Sequence, residues 1–225
     1  MRKFRNALLA ASFAALALAA FAGLPALTNA LAQAKPAKVA YAPIAGGEYK
    51  IDAAHSTIGF SIRHYEINWV SGRFRDFAGT IRYDEQDPTK SSVEFSAKVE
   101  SIDTGVPNRD KHLRTADFFE VEKYPEMTFK STRVERKGKS WVLHGDLTLK
   151  GVTKPVSIPF QLTGAIKDPR GNTRFGVDAK TTIDRRDFGV TWGKPLEGGG
   201  FDLGHEVMIS LQLEAVKAAP KPASE

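Results

Sequence analysis

Residues 156–183 read VSIPFQLTGAIKDPRGNTRFGVDAKTTI, and this stretch decides the fold class. Val156, Ile158, Phe160 and Leu162 fall on every second position, and Phe175, Val177, Ala179, Thr181 and Ile183 repeat that spacing on the way back. Period two puts one apolar row on one face of an extended chain. Between the two runs, Pro169 and Gly171 supply the backbone angles of a turn over residues 168–172. Long alternating runs joined by a short turn are antiparallel neighbours.

The pattern continues in both directions. Trp141, Leu143, Leu147 and Leu149 form one side of a strand that ends at Lys150-Gly151, a tight hairpin signal, and residues 127–134 precede it. Nearer the N-terminus, Tyr49 and Ile51 start a strand, and residues 56–64 alternate with Ile58, Phe60 and Ile62 on one face. Residues 69–75 and 77–83 carry Gly72 and Gly79 inside strand-like runs, where a sheet bends or bulges. Val93, Phe95, Ala97 and Val99 form another strand, and Val207, Ile209, Leu211, Leu213 and Ala215 the last, with His205 in the loop before it. About eight strands with one apolar face each must stack as a sandwich or close into a barrel. Several run to about ten residues where five or six are usual, which favours an all-β antiparallel barrel with a deep interior.

One polar segment interrupts the strands. Residues 103–125 read DTGVPNRDKHLRTADFFEVEKYP. Asn108 is a good N-cap and Asp110 places a negative charge in the first turn, so a short helix is expected over residues 109–114. Thr115 then caps a second turn over residues 116–120, and Pro125 returns the chain to an extended form. Phe118 and Phe119 face inward, with Arg109, Asp110 and His112 above them as a lid.

The N-terminus has the three-part form of a secretory signal peptide: Arg2, Lys3 and Arg5, an apolar run over residues 7–22, then Pro25 and small residues. Cleavage is expected after Ala32 or Ala34, giving a leader over residues 1–34 and a periplasmic mature protein. The run is too short for the ~20 residues of a membrane span, so no integral membrane segment is expected after the leader leaves. Residues 35–47 read as a flexible linker, residues 48–217 as the barrel, and residues 218–225 as a loose tail. With the leader go three of 32 basic residues, so 29 stand against 26 acids and the net charge falls from +6 to +3. No basic block suggests nucleic-acid binding. Cysteine is absent, so stability rests on a packed core rather than disulfides.

The five histidines, His55, His64, His112, His144 and His205, form no tight ligand pair, and His55 and His64 stand an odd number of residues apart. No metal site and no cofactor are expected. No nucleophile-elbow pattern occurs. Arg109, Asp110 and His112 have the chemistry of an acid, base and anion-binding set, or of an ion pair that fixes the lid to the rim through Arg109 or Arg114. Asp184-Arg185-Arg186-Asp187 reads as a rim charge network. Phe118, Phe119, Phe188 and Trp192 read as core or cavity wall.

Taken together, these stretches resemble the YceI-like family of exported bacterial proteins with a lipocalin-like fold. The matching pieces include Asp52-Ala53-Ala54-His55-Ser56, Gly72-Arg73-Phe74, Ser101-Ile102-Asp103-Thr104-Gly105 and Asn108-Arg109-Asp110-Lys111-His112-Leu113. They continue through Asp117-Phe118-Phe119, Tyr124-Pro125, residues 145–152 and residues 184–190, and span nearly all of residues 48–216. The resemblance implies a lipocalin-like barrel of about eight strands closed by a helical segment. It also implies a long-chain amphiphile inside: a polyprenyl lipid, an isoprenoid quinone or a fatty amide. The apolar chain is then expected against Ile58, Phe60, Ile62, Phe95, Phe129, Phe160 and Phe175, with Phe118, Phe119, Phe188 and Trp192 completing the wall. His64, Arg109, Asp110 and His112 are expected at the head group. A carrier without catalysis is the favoured reading. An enzyme using Asp110 and His112 on a bound lipid head, and a fully packed stress or interaction protein, are the alternatives. Whether the barrel forms a homodimer is left open by the sequence.

Overall fold

The computed structural model describes residues 39–138 and 140–217; the leader, its cleavage, the first part of the linker and the C-terminal tail lie outside them. The strands are β1 (Gly47–Ile51), β2 (Thr57–His64), β3 (Asn68–Phe74), β4 (Phe77–Tyr83), β5 (Ser92–Lys98), β6 (Ile102–Asp103), β7 (Glu126–Lys137), β8 (Ser140–Leu149), β9 (Val152–Lys167), β10 (Thr173–Asp184) and β11 (Leu203–Lys217). All pair antiparallel. Six of them are halves of three long strands. β1 and β2 both lie along β11, with Lys50 opposite Val216 and Thr57 opposite Gln212. β4 and β3 lie along β1 and β2, and β5 and β6 along β4 and β3. Eight strands therefore follow one another around a ring that the β1–β11 pairing closes. This is the expected barrel.

The breaks have local causes. Between β1 and β2, Asp52 accepts a hydrogen bond from the Ala54 amide and holds a single 3-10 turn over Ala53–His55. Between β5 and β6, a second 3-10 turn at Val99–Ser101 is fixed by the Ser101 hydroxyl donating to the Lys98 carbonyl. Gly72 and Gly79, expected as bends, lie within continuous strands instead. Their missing side chains leave room for rings and methyls from the next strand: a Cβ on Gly72 would stand 2.4 Å from Phe60 Cζ, and one on Gly79 2.4 Å from Ile51 Cδ1. His205 belongs to β11 rather than to the preceding loop.

Along each long strand apolar residues face in and polar ones out. This is the reverse of a membrane-spanning barrel, whose apolar band faces outward. Among the described residues no helix is long and apolar enough to cross a membrane.

One end of the ring is plugged. Tyr49 is fully buried, packs edge-on against Phe175 at 4.8 Å and donates its hydroxyl to the Ala45 carbonyl at 2.7 Å. Ile44, Ile81, Ala165 and Ala215 fill the space around it. This plug corrects the linker boundary. Ala42 exchanges two backbone hydrogen bonds with Ala165, so contact with the barrel begins before residue 48. Gly164, at φ +82°, makes the opening: a Cβ there would come within 2.6 Å of Tyr41 Cβ.

The helix α1 spans Pro107–Leu113, two residues earlier than expected, and Val106 rather than Asn108 stands at its N-cap. Proline is suited to the first helical position, where no N–H is needed and its fixed φ already fits. No ion pair ties Asp110 to Arg109 or Arg114. Arg114 instead donates to the Glu100 and Ile102 carbonyls at 2.8 and 2.9 Å, clamping the helix onto the turn and strand it follows. Thr115 donates its hydroxyl to the His112 carbonyl and so ends α1; residues 116–119 are turns, not a second helix.

Candidate functional site

The inward rows do not meet at the barrel axis. Leu162, Val177 and Leu213 stand opposite one another on β9, β10 and β11, and Phe60, Ile209 and Leu211 face the same interior, yet all six are only half-buried. Side chains that point into a closed ring and still expose surface border a void. That void is a cavity of about 440 Å³, inside the range of about 300–1,000 Å³ typical of small-molecule sites. A tube filled by its own aromatics is thereby excluded.

Of the residues expected at an apolar wall, Ile58, Phe60, Ile62, Phe95, Phe118, Phe119, Phe129, Phe160, Phe175 and Trp192 line the cavity. Phe188 does not. It closes the 3-10 turn Arg185–Phe188 and is 2% exposed, packed within the core. His64, Arg109 and His112 reach the lining, whereas Asp110 turns away. Asp110 Oδ1 accepts from the Thr104 amide at 2.9 Å and the Thr104 hydroxyl at 2.5 Å, so its carboxylate locks the loop before α1 rather than facing a guest.

The mouth lies at the α1 end. His112 and Trp192 both line the cavity and reach solvent. The His112 ring stands edge-on to Phe118 at 5.0 Å and to Trp192 at 5.4 Å, and its Nε2 lies 2.8 Å from Asp117 Oδ2. Tyr65, Ile67, Trp69 and Val106 add exposed apolar surface on the β2–β3 hairpin and before α1. The hairpin joins the segment that carries Trp192: the Tyr65 amide donates to the Asp202 carbonyl.

Arg185, read from sequence as part of a surface charge network, is 4% exposed and lines the cavity. It donates to the Gly204, Val190 and Leu203 carbonyls at 2.8, 2.8 and 3.0 Å. Burial lowers its pKa below the ordinary arginine value. Arg186 and Asp184 do form the expected rim pair, which holds that carboxyl down to about 2. Four basic side chains, His64, Arg109, His112 and Arg185, line the cavity, and no aspartate or glutamate does.

Among the described residues, Asp52, His55 and Glu214 bring cation-ligand types together. Arg174 occupies their midst, pairing with Asp52 at 3.0 Å and with Glu214, so the carboxylates are already answered by a guanidinium. Arg174 also holds Asp168 well below the usual carboxylate range.

The model of the YceI-like domain matches residues 49–215. A UPF0312 protein of Photorhabdus laumondii is 47% identical over 142 residues, which is 62% of this chain and 74% of that relative. The crystal structure of the Campylobacter jejuni YCEI protein superposes with TM-score 0.59 at 28% identity, over 75% of this chain and 96% of its own. A polyisoprenoid binding domain from Saccharophagus degradans shares the fold at 16% identity, with TM-score 0.54 over 76% of this chain and 98% of its own. The matched span begins in the strand that plugs the barrel and ends in the strand that closes it, so this chain belongs to the family of YceI-like domains.

Proposed function

We propose that the protein is a periplasmic carrier that holds a long-chain amphiphile, a polyprenyl lipid or an isoprenoid quinone, in the barrel without acting on it chemically. The observation that carries this reading is the cavity, closed at one end by Tyr49 and Phe175, apolar along its length and open among aromatic and basic groups at the other. A cavity of that shape takes a chain lengthwise and leaves its head at the mouth. Affinity then comes chiefly from the chain, at about 0.8 kcal/mol per buried methylene. The polyisoprenoid binding of the Saccharophagus degradans domain, which shares the fold, supports the same class of guest. Against the catalytic alternative, the two groups nominated as acid and base do not converge: Asp110 is engaged by Thr104 and His112 by Asp117.

The test is native mass spectrometry of protein purified from the periplasm of an expressing cell, followed by solvent extraction. A co-purified amphiphile that leaves unaltered supports the carrier. A guest converted over time favours an enzyme, and protein free of any lipid, unable to take one up after delipidation, overturns the reading.

A further inference from the structure

Resting on that reading, we propose that the cavity mouth selects an amphiphile with an acidic head, phosphate or carboxylate, over neutral or cationic heads, through Arg185 and Arg109. Every ionisable side chain at the mouth end of the lining is basic, and the one carboxylate nearby that sequence placed there, Asp110, is turned onto Thr104. Neither arginine has a direct ion pair. Arg109 donates Nε to the Thr104 hydroxyl at 2.7 Å and Nη2 to the Thr104 carbonyl at 2.9 Å, so Asp110 answers it only through that hydroxyl. Arg185 has three carbonyls as partners, which satisfy geometry but carry no charge.

The surrounding acids are committed elsewhere. Asp184 is paired with Arg186 and Asp117 lies against His112, while Asp202, whose Oδ1 accepts from the Lys194 amide at 2.7 Å, acts on Arg185 only through space and makes no direct bond to it. Burying a charge without a counter-ion is costly unless something supplies one. Each guanidinium carries five N–H donors. The three bonds Arg185 makes and the two Arg109 makes leave donors on both, and an oxyanion at the mouth uses them in charge-assisted bonds. Both arginines belong to this end. Arg109 lies one helical turn before His112, whose ring meets Trp192, and Arg185 holds the Val190 carbonyl two residues from Trp192.

The experiment uses the delipidated mature protein and four probes sharing one chain: farnesol, farnesylamine, farnesoic acid and farnesyl phosphate, titrated by calorimetry below their aggregation concentrations. The better acid is expected to bind at least about tenfold tighter than farnesol, with the amine weakest, and the order of the two acids distinguishes a phosphate from a carboxylate source. In Arg109→Gln and Arg185→Met the advantage of the acid over farnesol, measured within each variant, is expected to shrink below about threefold. Because Arg185 also anchors residues 190–204, Arg185→Met is scored only if folded; the wild-type ranking and Arg109→Gln decide the matter without it. Equal affinity for acid and alcohol, or an acid advantage untouched in Arg109→Gln and in folded Arg185→Met, overturns the head-group proposal and leaves the lipid reading standing. Failure of all four probes to bind overturns both.

Discussion

Replacing Val177 with tryptophan tests the cavity from inside. Val177 stands opposite Leu162 and Leu213, and all three face the void with surface to spare, so an indole there has room that a filled core would not give it. It covers on the order of 100 Å² more apolar surface than an isopropyl group, about 2.5 kcal/mol at about 25 cal/mol per Å². Imperfect fit returns about 1–3 kcal/mol of strain. Val177→Trp is therefore expected to lie between about 0.5 kcal/mol less stable than the parent and about 1.5 kcal/mol more stable. At about 2–4 °C per kcal/mol for a domain this size, the delipidated protein gains up to about 5 °C in Tm. Guest binding moves the other way. An indole that displaces about four methylenes of chain removes about 3 kcal/mol, which is about two-hundredfold in Kd. Thermal melts of the empty protein and calorimetric titration with a long-chain amphiphile give both numbers. A variant that unfolds would mean the barrel is packed where the void is drawn, and one that binds the amphiphile as tightly as the parent would mean the chain lies elsewhere.

Three further outcomes are expected. Gly145→Ala should cost at least about 2 kcal/mol, because its Cβ would stand 2.4 Å from Phe129 Cζ and 2.5 Å from the Lys130 carbonyl. Gly171→Ala, with nothing within 4 Å but φ +82°, should cost about 1 kcal/mol, and equal losses in urea titrations would refute the steric argument. Tyr65 and Glu66 are the central pair of the turn in the three-residue β2–β3 connection, residues 65–67, with φ of 50° and 59°, conformations suited to Asn-Gly. The double change Tyr65→Asn, Glu66→Gly should raise stability by about 1 kcal/mol even after losing the Glu66 bond to the Phe201 amide, and no rise in urea midpoint at constant m would count against it. Asp168, Asp184 and Asp52 all have folded pKa values below their unfolded ones, Asp168 through Arg174 first, Asp184 through Arg186 first, and Asp52 through His55 first with Arg174 behind it. The unfolded chain then binds more protons, so their stabilisation is present above about pH 4 and lost as pH falls toward 2. Arg174→Met should flatten that acid loss, and an unchanged slope between about pH 4 and 2 in denaturant midpoints would show the Arg174 cluster to be inert.

What sequence could and could not reveal here follows from the kind of order each feature needs. The ring of strands was legible because period two is a local signal, and residues 156–183 carry it without help from the rest of the chain. The same signal identified Phe60, Phe129 and Phe160 as inward residues, since direction along a strand is a matter of parity. Parity fails wherever the chain leaves the strand. Asp110 and Phe188 occupy turns of helix, and which way each points was decided by partners that no local pattern announces: the Thr104 amide for one, the core beneath β11 for the other. Arg185 shows the point most sharply. In sequence it is one of four alternating charges, and only the return of β11 brings the Leu203 and Gly204 carbonyls to its guanidinium. Its neighbour Arg186, with the same side chain and the same local context, pairs with Asp184 in solvent. Two identical residues side by side thus receive opposite electrostatic settings, one screened and neutralised, the other dry and unpaired. Because a dry cation at a cavity mouth gains more from an anion than a solvated one does, the residue least distinguishable in the sequence is the one most able to discriminate among head groups.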